Sequence, residues 1–152
     1  MTSSTRCRCL LAGLALATAP AWADECKPIH ADLVELRSTE GCDAGETSCF
    51  LGVVDGNQGL RGSTHFSADS IGTAAPTSPG SLPYSGLFEY RLPGGTISMR
   101  ETGVNVPGMV TAHQHVIDAT GEYAGATGDF FVNGVRGVGI VTTQVNGTLC
   151  LP

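Results

Sequence analysis

One carboxylate and two imidazoles are the residues of this 152-residue chain whose positions invite chemistry. Glu101 belongs to the strand-like segment Thr96–Gly103, which follows another, Tyr84–Leu92, across Pro93-Gly94-Gly95. A two-residue turn at Gly94-Gly95 predicts a hairpin with Leu92 opposite Ile97, Tyr90 opposite Met99 and Phe88 opposite Glu101. Side chains alternate along a strand, so Phe88, Tyr90 and Met99 share one face with Glu101, while Glu89 opposes Arg100 as an ion pair on the other. If the apolar face lines an interior, burial raises the carboxyl pKa and suits Glu101 to proton transfer. At the end of its strand it would reach solvent instead. Glu101 is therefore the candidate catalytic residue, with Phe88, Tyr90 and Met99 as candidate ligand-lining residues.

His113 and His115 stand two apart in the segment Met109–Asp118 and point to one face, as metal-binding His-x-His pairs do. A metal needs a third ligand, and nothing in the spacing selects among His30, His65, Asp69 and Glu101. No metal is assigned; the pair is counted among the ligand-lining candidates, with a surface position as the alternative. Other catalytic patterns are missing. There is no Gly-x-Ser-x-Gly elbow. No cofactor motif is present. Tyr84, Tyr90 and Tyr123 could donate hydrogen bonds in a pocket or serve as plain core residues.

The chain begins with the pattern of an export signal: Arg6 and Arg8, an apolar run from Leu10 to Ala19, and Ala21-Trp22-Ala23 as a small-x-small cleavage site. Residues 1–23 are read as a signal peptide and 24–152 as one domain in a secreted or periplasmic protein. No apolar run reaches the roughly 20 residues of a membrane-spanning helix. Removing Arg6 and Arg8 leaves six basic residues against fourteen acidic ones, a net charge of −8. Such a charge disfavours nucleic acid and anionic membrane surfaces as partners. Lys27 is the one lysine and sits near the new N-terminus, which argues against Schiff-base chemistry or a phosphate-cradling loop. Cys26, Cys42, Cys49 and Cys150 remain in the domain, an even number that suggests two disulfides among three possible connectivities. A small loop from Cys42 to Cys49 and a tie between the chain ends through Cys26 and Cys150 is one of them.

The elements that must position these residues are strands. Glycines recur from Gly41 onward, with Val, Thr, Phe and Tyr between them. Nine segments are read as strands: Asp32–Arg37, Cys49–Val54, Leu60–Ala68, Tyr84–Leu92, Thr96–Gly103, Met109–Asp118, Asp129–Asn133, Arg136–Thr143 and Thr148–Leu151. Asn146-Gly147 is the strongest hairpin signal and also explains the glycosylation-like Asn146-Gly147-Thr148. Gly72–Pro83 is the one long loop. Strands joined by short turns predict an all-β antiparallel fold, an up-and-down barrel or a sandwich; a closed barrel of about eight strands would have no edges and a lumen that holds side chains or one small ligand.

The stretch Thr120-Gly121-Glu122-Tyr123-Ala124-Gly125-Ala126-Thr127-Gly128 resembles the Gly-Thr-Gly-aromatic-Ala-Gly-Ala-Thr-Gly signature of allene oxide cyclase barrel and dirigent-like proteins. It departs at Ala119, where the pattern usually has Gly. The resemblance covers about a dozen residues and implies a β-barrel that binds a small hydrophobic molecule in its lumen and steers its cyclisation or coupling, in an isomerase-type reaction. It also implies a homo-oligomer, dimer or trimer. The motif glycines themselves read as structural, allowing positive φ or close backbone approach. Two other functions fit the same fold: a non-enzymatic ligand carrier, and a secreted structural or interaction module with a filled barrel. An open lumen bearing a buried ionisable group favours the first reading, and a filled one the last.

Overall fold

The computed structural model describes residues 25–40, 42 and 48–152, so the segment read as a signal peptide lies outside the described residues. The chain forms a closed barrel of eight antiparallel strands in sequence order: β1 (Glu25–Arg37), β2 (Ser48–Gly56), β3 (Arg61–Ile71), β4 (Leu82–Leu92), β5 (Gly95–Val106), β6 (Met109–Ala119), β7 (Thr127–Arg136) and β8 (Ile140–Leu151). β8 returns to pair with β1 over twelve residue pairs, so neither strand is left as an edge. The alternation that defines inside and outside runs unbroken through most strands. In β1, Ile29, Ala31, Leu33 and Glu35 point in; in β4, Phe88, Tyr90 and Leu92 do so.

The β4–β5 hairpin differs from the expected one by two residues. Tyr90 faces Ile97, Phe88 faces Met99 and Gly86 faces Glu101, because the turn is Pro93-Gly94 and Leu92 pairs with Gly95. Proline at the first turn position presets φ, which favours that choice over Gly94-Gly95. A slip of two leaves every side chain on its expected face, whereas a slip of one would have inverted them. It does break the expected Glu89–Arg100 ion pair. Arg100 instead faces Leu87 and engages Asp69 of β3, while Glu89 takes Arg91 at 2.6 Å.

The last two expected strands are one. Asn146-Gly147 lies within β8, and the turn falls at 137–139, between β7 and β8. Gly147 is needed for close approach rather than for turning: a Cβ there would lie 2.1 Å from the Asp129 carbonyl oxygen and 2.8 Å from the Phe130 ring. Asn146 instead uses its side-chain oxygen to meet the His30 ring at 2.8 Å. β1 begins at Glu25, well before the expected Asp32.

The two ends of the barrel differ. At one, Ile29, Leu60, Leu92, Ile97, Tyr123, Ala126 and Leu149 pack the interior shut. The glycine-rich motif forms this floor through a single 3-10 turn, Gly121–Tyr123. Gly121 has φ of 63° and lies against the β4–β5 turn, whose Gly94 carbonyl accepts the Glu122 N–H at 2.8 Å. Cys26 and Cys150, directly opposite in the β1–β8 pair, are joined by a disulfide; Cys42 and Cys49 form the second. At the other end the interior opens into a cavity.

Candidate functional site

The cavity has a volume of about 60 Å³ and lies among the ends of strands that lead away from the sealed floor. Two carboxyls, Glu35 of β1 and Glu101 of β5, line it together with Tyr84, Thr143 and Arg136. Phe50, Phe66, Ala68, Val110, Val132 and Val141 supply its apolar wall. A single water needs roughly 10–15 Å³ by this kind of measure, so the space admits a few waters or one end of a small organic molecule.

Glu101 is 5% exposed and fully engaged. Tyr84 Oη donates to its Oε1 at 2.8 Å, and Gln114 Nε2 to its Oε2 at 2.6 Å. Gln114 is in turn held by Tyr90 Oη, which donates to its Oε1 at 2.7 Å. Burial raises the Glu101 pKa, and the two donated hydrogen bonds pull it back down. The Tyr84 hydroxyl is pushed up by burial and by the neighbouring Glu101, and so remains a donor.

Glu35 sits in the opposite situation. It is 8% exposed, and its Oε1 has no hydrogen-bond partner among the described residues. The Thr64 and Thr143 hydroxyls, also buried, likewise lack partners among the described residues. Burial first, and then the charge of Glu101, push the Glu35 pKa up to about 8. Glu35 is thus a neutral acid at neutral pH, while Glu101 has the donors needed to hold a negative charge. Glu101, also raised by burial, accepts two hydrogen bonds that favour its charged form, so it is the one of the two fitted to act as a base.

Glycines make room for both. A Cβ on Gly52 would lie 2.7 Å from Glu35 Cγ and 2.6 Å from Thr64 Oγ1. A Cβ on Gly103 would meet the Tyr84 ring at 2.6 Å. Removing two inward side chains lets Glu35 and Tyr84 lie across a narrow barrel.

Of the residues singled out from sequence, Glu101 and Tyr84 line the cavity. Phe88, Tyr90 and Met99 point inward but fill the lumen below it. Phe88 and Tyr90 pack at a tilt with ring centroids 4.7 Å apart, Phe130 packs edge-on to Tyr90 at 5.7 Å, and Met99 is fully buried. The expectation that His113 and His115 line the interior is corrected by strand alternation. Val110, Ala112, Gln114 and Val116 are the inward residues of β6, so both histidines face outward, where both contact Asp129.

Glu35 escaped the sequence reading because the expected strand, Asp32–Arg37, begins too late to show which of its faces is inward. The signal was present upstream: Ile29, Ala31 and Leu33 share its parity once β1 is extended to Glu25. Cys42, Cys49 and His65 bring possible ligand atoms within 4.8 Å of one another, with His65 Nε2 3.3 Å from Cys49 Sγ. The Cys42–Cys49 disulfide consumes both thiolates that such a site would use. The chain matches no known family model and no curated protein.

Proposed function

We propose that this protein binds a small, largely apolar molecule through the open end of its barrel, with a polar group of the ligand inserted between Glu35 and Glu101. The observation that carries this reading is the pair of buried carboxyls in one cavity, one with both oxygens hydrogen-bonded and the other with an unpartnered oxygen. Burying two carboxyls opposes folding, and a filled structural barrel gains nothing from it. A guest hydroxyl or carbonyl oxygen that accepts from the protonated Glu35, or a guest hydroxyl that donates to its unpartnered Oε1, returns part of that cost.

The cavity volume sets the size of what enters. The apolar walls hold a compact group, and the rest of the ligand extends toward the strand ends around Ile71, Asn105 and Arg136. The chemistry open to such a site is proton transfer within a held substrate, Glu35 as acid and Glu101 as base. This is the requirement of an isomerisation or cyclisation in which orientation does most of the work. The resemblance of the Thr120–Gly128 motif to allene oxide cyclase-like barrels agrees with this reading, although that motif builds the floor and not the cavity.

Native mass spectrometry of the exported, oxidised protein tests the proposal. A retained small molecule is expected on the wild type and absent from Ala68→Leu, which fills the cavity from a buried wall position. Glu101→Gln is expected to keep the guest and abolish its conversion. A wild type with no bound mass, and no difference from Ala68→Leu in binding an environment-sensitive apolar dye, would return the barrel to a structural role.

A further inference from the structure

We propose that His113, His115 and Asp129 form a surface site for one first-row divalent metal ion, on the outer wall across β6 and β7. The spacing of the two histidines left the third ligand open, and the tertiary structure supplies it from the neighbouring strand. In the antiparallel β6–β7 pair, Asp129 lies directly opposite His115, and Phe131 opposite His113. All three donors therefore leave the same outer face. Asp129 Oδ1 accepts from His113 Nε2 at 2.9 Å and from His115 Nδ1 at 2.8 Å, so both rings already turn toward a single carboxylate.

The side chains of His113, His115 and Asp129 are 42%, 58% and 50% exposed, so an ion reaches them without any opening of the barrel. The outer wall beside His113 and Phe131 is open and shallow, bordered by Thr102, Val104 and Thr111, which leaves the remaining coordination positions to water. The Phe131 ring packs 5.1 Å from the His113 ring and supports its orientation. The flanking positions add no uncompensated charge. Arg100 faces His115 from β5 but is engaged by Asp69 and Ser85. Thr102 faces His113, and Thr148 faces Asp129 from β8.

Two imidazoles and one carboxylate suit Zn²⁺, Cu²⁺, Ni²⁺ or Fe²⁺, and this donor set with open positions is common to several metal sites. The hydrogen bonds gather the donors without bringing them to ligation distance. Binding turns the rings about their side-chain torsions, which exposed groups do on the picosecond to nanosecond timescale. The ion takes the place of the ring N–H groups now given to Asp129, and in each neutral imidazole that proton moves to the other ring nitrogen.

The test is calorimetric titration of the untagged, disulfide-intact protein with Zn²⁺ alone. One ion per chain is expected, with saturable binding lost in the double variant H113A/H115A and weakened roughly tenfold in Asp129→Asn. His30→Ala, which alters a histidine elsewhere on the surface, is expected to bind as the wild type does. Both altered histidines face outward, so unchanged thermal melting of the metal-free variants will establish that they are folded. With Cu²⁺, electron paramagnetic resonance should report two imidazole nitrogens in the wild type. No saturable Zn²⁺ binding, or undiminished binding by H113A/H115A, would overturn the site. Neither result depends on the lumen ligand.

Discussion

Glu35 carries a cost that pH can expose. Its pKa rises on folding from an ordinary 4.5 to about 8, so between those values the folded chain holds a proton that the unfolded chain has released. Stability is therefore fully present below about pH 4.5 and falls as pH rises through the window, with a slope of up to ~1.4 kcal/mol per pH unit. Glu101, also raised, contributes in the same direction. Glu35→Gln keeps a neutral, hydrogen-bonding side chain at the site. Urea unfolding at pH 5 and pH 8.5 is expected to show the variant gaining several kcal/mol on the wild type between the two. Parallel curves would mean that Glu35 is solvated and ionised in the folded protein. At this scale the sequence was half legible. Glu101 stood out as a lone carboxylate among Phe88, Tyr90 and Met99. Glu35 did not, because its inward direction depends on a strand beginning ten residues earlier.

At the scale of elements, turns and glycines decide how the walls meet the floor. Gly121 combines a positive φ with a contact: a Cβ there would stand 2.1 Å from the Gly94 carbonyl oxygen. Gly121→Ala is expected to cost at least ~2 kcal/mol, read as a lower urea midpoint, from the left-handed backbone penalty plus displacement of the β4–β5 turn. A change under 0.5 kcal/mol, below about the size expected for a routine surface substitution, would show that this turn does not anchor the floor. Local signals competed elsewhere. Pro93 prevailed over Gly94-Gly95 in choosing the hairpin turn, and strand continuity in β8 prevailed over Asn146-Gly147. A glycine in a strand marks either a turn or a close approach, and only the neighbour on the next strand tells which.

For the whole molecule the decisive event is closure. The Cys26–Cys150 disulfide crosses the β1–β8 seam, joining residues 124 apart in sequence. Replacing both cysteines with serine is expected to lower stability by about 2–5 kcal/mol, with the seam strands gaining the most in amide hydrogen exchange. Equal exchange across all eight strands would argue that the pairing of β1 with β8 holds the seam unaided. Alternation, turn residues and an even cysteine count were enough to determine an all-β fold with two disulfides, because these are local preferences repeated along the chain, whereas closure into a barrel rests on the long-range β1–β8 pairing. The contents of its two faces were decided only in three dimensions. Parity sets which face a residue occupies, but the neighbours on that face come from strands far away in sequence. So Glu35 met Glu101 inside, and Asp129 met His113 and His115 outside, through pairings that no spacing along the chain records.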